Sequence, residues 1–208
     1  MQDNQSGDTA PTVFVVDDEA LIRDSLAKML KSAGFESELF GSGKAFLENY
    51  QGDRPGCVII DLKMKGMSGL KLLENLQKLS IHLPVIFLSG VANIQNAVEA
   101  MKAGAVDFLE KPFRPKQLLE KVRYALSLDV EMRLRREIHS RVNQLIDRLS
   151  PREHQVMELL IQGKSSKAIA QEFNISPKTI DIHRARVLEK MEVGSVVLLV
   201  QLLHQLDL

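Results

Sequence analysis

The sequence predicts two domains, an α/β domain with a doubly wound parallel sheet and, behind it, a smaller all-α domain. Three observations support this prediction. Between residues 12 and 125, five short apolar runs alternate with segments of helical periodicity, which is typical of a parallel sheet covered by helices on both faces. A helical pattern then continues without glycine or proline up to Ser150. From there to Leu208 every segment is helical in pattern.

The first domain is predicted to contain five strands and five helices. The predicted strands cover residues 13–16, 35–40, 58–60, 84–88 and 106–109. The helices between them cover residues 21–30, 44–50, 70–79 and 94–103, and a fifth begins near Pro115. In a doubly wound sheet, binding groups collect beyond the carboxyl ends of the strands, so those ends are where chemistry is expected.

Composition narrows the class of protein. With 208 residues, 45% hydrophobic and 26% charged, the chain is globular in composition and long enough for two domains. Its formal net charge is zero, so any nucleic-acid surface must be local. Cys57 lies in an apolar run and is predicted to be a buried thiol in a reducing compartment. We find no signal-peptide pattern and no apolar stretch of about 20 residues, so we expect a cytoplasmic protein without a membrane partner. Residues 1–11 are expected to be disordered.

The helical pattern behind the first domain predicts a long linker helix over residues 127–148. From Lys116 onward, through the end of the first domain and the linker, hydrophobic residues recur at helical spacing, namely Leu118, Val122, Leu126, Val130, Leu134, Ile138, Val142, Leu145 and Leu149. If unbroken, the whole stretch would be a rod of roughly 50 Å. Two interpretations stay open: one face of the helix packs on its own domains, or the last four of these residues form a heptad seam of a dimeric coiled coil.

Acidic side chains follow two of the predicted strands. Asp17 and Asp18 come directly after the first strand and Asp61 directly after the third. Because these strands are neighbours in a doubly wound sheet, three carboxylates meet at one edge, where their mutual repulsion requires a cation. Hard oxygen ligands of this kind suit Mg²⁺ or Mn²⁺.

A hydroxyl and an ammonium group point to the same edge. Ser89 follows the fourth predicted strand and Lys111 the fifth, and both could hold phosphate oxygens. Aspartate after a strand is often only a helix cap. That explanation covers one aspartate but not three together with a serine and a lysine at separate strand ends.

Four segments of the first domain carry a family resemblance. VDDE (residues 16–19), IDLKMKGMSG (60–69), LSG (88–90) and FLEKPF (108–113) resemble the receiver domain of two-component response regulators, over about residues 12–126. The resemblance implies a (βα)5 flavodoxin-like fold.

The resemblance also assigns roles to individual residues. It implies that Asp61 accepts a phosphoryl group from a sensor histidine kinase, with Mg²⁺ bound there. Further roles fall on Asp18 (direct metal ligand), Asp17 (through metal-bound water), Lys63 (backbone carbonyl ligand), Ser89 and Lys111 (phosphoryl oxygens) and Phe108 (rotating aromatic switch). The Lys111–Pro112 bond is expected to be cis. No enzymatic activity is implied apart from self-phosphorylation and autodephosphorylation at Asp61.

Two positions depart from the pattern of the family. Lys65 stands where a proline is usual, which is expected to loosen that loop. Ser89 replaces the commoner threonine but keeps the hydroxyl oxygen. Neither departure removes a required group.

The second domain opens with a helix-start signal and also resembles a known family. Ser150, Pro151 and Glu153 have the spacing of a capping box with proline at the first helical position. Residues 149–203 resemble the helix-turn-helix domain of LuxR/FixJ-type regulators. Together the two resemblances identify the chain as a member of the FixJ/NarL family of response regulators. They imply a homodimer when phosphorylated, promoter DNA as ligand and RNA polymerase as a further partner.

The recognition helix is predicted over residues 176–191, with Ser176 as its cap and Pro177 as its first residue. By resemblance, Lys178, Thr179 and His183 are placed for phosphate contacts. Asp181, Ile182 and Ala185 are placed for base edges, with Arg184 and Arg186 nearby. For His183, bracing against its own domain stays an equal alternative. One helix this weakly basic favours binding as a dimer.

Three other functions share some of these sequence features. A phosphatase of the haloacid dehalogenase type needs a second aspartate two residues after the first, where this chain has Glu19. A pseudo-receiver that dimerises without phosphate is disfavoured by the complete set of acids with Ser89 and Lys111. RNA binding is disfavoured by the full helix-turn-helix pattern and by the few aromatic residues.

Overall fold

The structure is a computed structural model and describes residues 10–90 and 94–204. The expected disorder of residues 1–11 therefore falls almost wholly outside the described residues. The chain divides into two compact units, residues 1–132 and 133–208, and each is described by itself. Among the described residues, none of the helices is both long and apolar enough to cross a bilayer.

The first unit contains a five-stranded parallel sheet. Its strands are β1 (Thr12–Val16), β2 (Glu36–Phe40), β3 (Gly56–Asp61), β4 (Val85–Ser89) and β5 (Asp107–Glu110). The helices that follow them are α1 (Ala20–Ser32), α2 (Gly43–Asn49), α3 (Gly69–Lys78), α4 (Ile94–Lys102) and α5 (Pro115–Ile146). The strand order is β2-β1-β3-β4-β5, with every pair parallel. The predicted doubly wound fold, with the first and third strands adjacent, is confirmed.

The strands end slightly later than the sequence pattern indicated. Asp61 is the last residue of β3 and Ser89 the last of β4, although both were expected just beyond their strands. The reason is that backbone pairing continues past the apolar run, since Leu62 still donates its N–H to Leu88. Both polar side chains are therefore held by the sheet itself rather than by a loop.

Two hydrophobic cores lie on the two faces of this sheet. Phe14, Phe46 and Phe87 fill one core and are fully buried. Cys57 belongs to the other core and is also fully buried. Burial, together with the charge of Asp129, raises the pKa of the Cys57 thiol to about 12. The predicted structural role of this thiol agrees with its environment, because a thiol at such a pKa is not nucleophilic.

Helix α5 contributes to the core of each unit. Leu118, Val122 and Ala125 are buried in the first unit. Val142 and Leu145 are buried in the core of the second, and the other two residues with heptad spacing, Ile138 and Leu149, pack against that core. Of the two interpretations of the heptad pattern, packing on its own domain is the one that these side chains adopt.

The second unit is helical beyond α5. Its further helices are α6 (Pro151–Ile161), α7 (Ser166–Phe173), α8 (Pro177–Lys190) and α9 (Val196–His204). The predicted capping box is present, since the hydroxyl of Ser150 accepts from the N–H of Glu153 and the Glu153 carboxylate accepts from the N–H of Ser150. Asn174 ends α7 in the left-handed region at φ +53°, which asparagine tolerates better than most residues. Helices α7 and α8, with the turn between them, correspond to the helix-turn-helix that the resemblance implies.

Candidate functional site

Two carboxylates meet one ammonium group at the carboxyl edge of the sheet. Nζ of Lys111 lies 2.8 Å from Oδ2 of Asp17 and 2.6 Å from Oδ1 of Asp61. Asp17 is 1% exposed and Asp61 is 7% exposed. Because the carboxylates come from the ends of β1 and β3 and the lysine follows β5, the sheet brings together groups that are 44 to 94 residues apart.

Burial and the hydrogen-bonded charges at this edge shift two pKa values. Burial raises the pKa of the Asp61 carboxyl above its ordinary value, and the hydrogen bond from Lys111 offsets this only in part. Burial lowers the pKa of Lys111, but its hydrogen bonds to Asp17 and Asp61 outweigh burial, and the net result is a raised pKa. The ammonium group is therefore held in its charged form between two acids.

The backbone around Asp61 is held closely. The N–H of Lys63 donates to Oδ2 of Asp61 at 2.9 Å, so both carboxylate oxygens have a donor. A Cβ at Gly69 would lie 2.6 Å from the carbonyl oxygen of Asp61, so only glycine fits where α3 begins. This close approach accounts for the glycine at the end of the segment IDLKMKGMSG, residues 60–69.

The structure brings Ser89 and Lys111 together through the backbone. Ser89 is 1% exposed at the end of β4, and its carbonyl oxygen accepts from the N–H of Lys111 at 2.7 Å. The Lys111–Pro112 bond is cis, as expected. Phe108 is partly buried and packs against the core that contains Phe87. Ser89 thus ends β4, Lys111 directly follows β5 and Phe108 lies within β5.

Asp18 is oriented differently from the other two acids. Its Oδ2 accepts from the backbone N–H of Lys65 at 3.3 Å. Among the described residues, no group of three or more His, Cys, Asp or Glu side chains is arranged to hold a metal ion. Three carboxylates were expected to meet, and two of them do. Asp17 and Asp61 both pair with Lys111, whereas Asp18 accepts a hydrogen bond from the loop before α3.

Sequence analysis missed Arg23. Its Nη1 donates to the carbonyl oxygen of Asp17 at 2.6 Å, and its guanidinium group lies beside Gly41. The side chain of Asp17 in turn accepts from the N–H of Glu19 at 2.9 Å. A basic residue on the first turn and a half of a helix that follows an acidic pair is the signal that could have pointed to this contact.

Helix α8 in the second unit exposes most of the predicted DNA-contacting residues. Those that are exposed are Lys178, Asp181, Ile182, Arg184, Ala185 and Arg186. Four of these six, at positions 178, 181, 182 and 185, have the spacing of a single helical face. Thr179 is partly buried, and its hydroxyl lies 2.8 Å from that of the capping residue Ser176.

His183 is the exception on α8. The residue is only partly exposed, and its Nδ1 atom is buried without a hydrogen-bond partner among the described residues. One side of the ring thus faces the domain, which corresponds to the bracing alternative. The remaining exposed part of the ring is compatible with a contact outside the domain.

Comparisons with known proteins assign both units. Residues 13–123 match the family of the response regulator receiver domain, and residues 147–203 match the luxR family of bacterial regulatory proteins. The chain belongs to the response regulators with a LuxR-type DNA-binding domain. It is therefore a regulator of transcription, and the predicted family and fold class are confirmed.

Relatives of this response regulator match it over nearly its whole length. The transcriptional regulatory protein FixJ of Bradyrhizobium diazoefficiens is 42% identical over 190 residues, which cover 91% of this chain and 93% of FixJ. The transcriptional regulatory protein TdiR of Thauera aromatica is 40% identical and covers 94% of this chain and 86% of its own length. The solved structure of the response regulator StyR has a TM-score of 0.82 at 41% identity and covers 94% of this chain and 99% of StyR. The receiver domain implies a sensor kinase as partner, and the LuxR-type domain implies DNA.

Proposed function

We propose that Asp61 of this response regulator accepts a phosphoryl group from a sensor histidine kinase and that the modified protein binds promoter DNA as a dimer. The observation that carries the proposal is the ammonium group of Lys111, which is shared between Asp17 and Asp61 beside the end of β4. A carboxylate that is buried next to a fixed cation is suited to attack phosphorus, because the cation stabilises the charge that develops.

The proposed phosphoryl transfer needs only the groups of this protein and of the donor kinase. An oxygen of the Asp61 carboxylate forms a bond to phosphorus as the bond between phosphorus and the imidazole nitrogen of the donor breaks. The electron pair of that bond stays on the donor imidazole. The product is an acyl phosphate whose added negative charge is met by Lys111 and by the hydroxyl of Ser89, which ends the neighbouring strand. Phe108, on the next strand, is the proposed aromatic switch.

The donor set fits Mg²⁺. Asp17 and Asp61 provide carboxylate oxygens that lie close enough together to share the ammonium group of Lys111. Asp18 directly follows Asp17 in the same loop. Hard oxygen donors with room for water are what Mg²⁺ prefers, and Mn²⁺ accepts the same donors. We assign Asp17, Asp18, Asp61 and the carbonyl of Lys63 to this ion. When bound, the ion would neutralise charge on the phosphoryl oxygens.

The DNA-contacting surface is proposed to lie on α8. Its exposed face carries Lys178 for phosphate contacts and Asp181, Ile182 and Ala185 for base edges. Thr179, His183, Arg184 and Arg186 are assigned as flanking DNA contacts. We assign residues 12–126 to the receiver, 127–148 to the linker helix and 149–208 to the DNA-binding domain. RNA polymerase as a partner and a cytoplasmic location stay predictions.

Gel filtration with and without beryllofluoride and Mg²⁺ tests the proposal. Beryllofluoride mimics the acyl phosphate, so the protein is expected to shift from monomer to dimer. Asp61→Asn is the matched control, because it removes the acceptor charge with almost no change of volume, and it should not shift. A parent protein that is dimeric in both conditions would favour the pseudo-receiver instead.

A further inference from the structure

The orientation of Asp18 depends on a backbone group of the loop between β3 and α3. The N–H of Lys65 donates to Oδ2 of Asp18 across 47 positions of sequence, with a distance of 3.3 Å between nitrogen and oxygen. Asp17 and Asp61 are instead paired with Lys111. Asp61 also accepts from this loop, at the N–H of Lys63, but its other oxygen is fixed by Lys111. For Asp18, the hydrogen bond from Lys65 is the contact through which the loop can set the position of the carboxylate.

The side chain of Lys65 lies on the surface. It is exposed and lines a groove of about 560 Å³ together with Lys44 and Lys71 on α2 and α3. A substitution can therefore remove the ammonium group and keep the backbone N–H, or remove both. Proline removes both, because its nitrogen carries no hydrogen, whereas alanine removes the ammonium group and keeps the N–H.

We propose that the backbone N–H of Lys65 is a positioning group that withdraws Asp18 from the metal site and weakens Mg²⁺ binding. The inference rests on the proposed role of Asp18 as a metal ligand. A carboxylate oxygen that accepts a hydrogen bond has less electron density for a cation, so the ion competes with the loop for Asp18. The consequence is a site that fills at a higher Mg²⁺ concentration than it would without this hydrogen bond. Lys65, which sequence analysis marked as a departure, is thus the residue that tunes the metal requirement.

Calorimetric titration of Mg²⁺ into the intact protein tests the proposal. The comparison is between Lys65→Pro and Lys65→Ala, since both lack the ammonium group and only the first lacks the N–H. One hydrogen bond contributes enough for about a fivefold difference, so Lys65→Pro is expected to bind Mg²⁺ about fivefold more tightly than Lys65→Ala. Equal dissociation constants for the two variants would overturn the proposal.

A second measurement does not depend on the proline variant. In ¹H–¹⁵N NMR spectra of the parent protein, the Lys65 amide should shift upfield as Mg²⁺ is added, with the same midpoint as the calorimetric titration, because its hydrogen bond is lost. An amide that stays in place while Mg²⁺ saturates the protein would also overturn the proposal. Absence of Mg²⁺ binding in the parent and in both variants would contradict the metal part of the proposed function as well, whereas equal binding by both variants contradicts only the role of Lys65.

Discussion

The backbone N–H of Gly56, the first residue of β3, donates to Oδ2 of Asp129 on α5 at 2.8 Å. Asp129 is 1% exposed, so the carboxylate and the N–H are both shielded from water. The same strand ends in Asp61. One strand therefore carries the proposed phosphoacceptor at its carboxyl end and is bonded at its amino end to the helix that leads out of the receiver.

Removal of the Asp129 carboxylate should destabilise the receiver. Asp129→Ala leaves the N–H of Gly56 buried without its acceptor, which costs about 1–3 kcal/mol of unfolding free energy. Asp129→Asn keeps an oxygen that can accept, so its loss should be smaller. Urea unfolding followed by circular dichroism measures both. If alanine costs no more than asparagine, the hydrogen bond is not what stabilises this contact.

The ion pair between Glu153 and Lys190 should make the stability of the second unit depend on pH. Nζ of Lys190 lies 2.6 Å from the carboxylate of Glu153, which is 3% exposed. The hydrogen bond from Lys190 and the N–H of Ser150 lower the pKa of Glu153 from an ordinary 4.5 to about 2. Because the folded pKa is depressed, the stabilisation is complete above about pH 4.5 and is lost as the pH falls toward 2.

Thermal unfolding of the parent and of Glu153→Gln between pH 2 and pH 7 measures this effect. The parent should melt higher than the variant at pH 7, and the two melting temperatures should converge toward pH 2. A constant difference across the range would show that the carboxylate charge contributes nothing.

An exposed pair in the same unit should behave differently. Glu192 accepts from Arg141 at 2.9 Å and from Arg148 at 3.3 Å, and its φ of +56° lies in the left-handed region. Exposed ion pairs contribute little to stability, and glycine relieves the backbone conformation while it costs chain entropy. Glu192→Gly should therefore leave the midpoint of urea unfolding almost unchanged. A clear drop of that midpoint would show that the pairs with Arg141 and Arg148 act as a buried network does.

Phosphate and base contacts on α8 should separate in binding assays. Lys178→Ala should weaken binding about equally on all DNA sequences and lower the salt dependence by about one unit of slope. Ile182→Ala, on the same exposed face, should alter preference among sequences and leave the salt slope unchanged. Fluorescence anisotropy on a selected and a scrambled duplex at several salt concentrations distinguishes the two. Equal salt slopes for both variants would contradict the assignment of Lys178.

The fold was predictable because its signals are local and periodic. The apolar runs of the strands and the capping box at Ser150 both follow from residue type and spacing, and each is found close to where it was expected. The strand ends at Asp61 and Ser89 were placed one residue short, since backbone pairing past an apolar run leaves no mark in side-chain hydropathy.

The meeting of Asp17, Asp61 and Lys111 was predictable from the sequence, but the hydrogen bonds around them were not. The order of the strands brings Asp17, Asp61 and Lys111 to the same edge of the sheet, because each directly follows or ends a strand. The orientation of Asp18 depends on a backbone N–H of Lys65, and the loop of Asp17 depends on Arg23. Every residue except proline has a backbone N–H, so the contact of Lys65 leaves no mark in composition or spacing. The position of Arg23 after the acidic pair makes it a candidate, but a single arginine on a helix has many possible partners, so its position alone does not identify the contact.

The measurement that tests the central claim most directly is the affinity of the intact protein for DNA with and without beryllofluoride and Mg²⁺. The duplex is one selected from a random library, and binding is followed by fluorescence anisotropy. Coupling between two sites is commonly about 1–3 kcal/mol, so we expect the parent protein to bind the duplex about 5- to 150-fold more tightly. Asp61→Asn should show no change. A parent affinity that does not respond, or an Asp61→Asn variant that tightens equally, would contradict phosphorylation of Asp61 as the control of DNA binding.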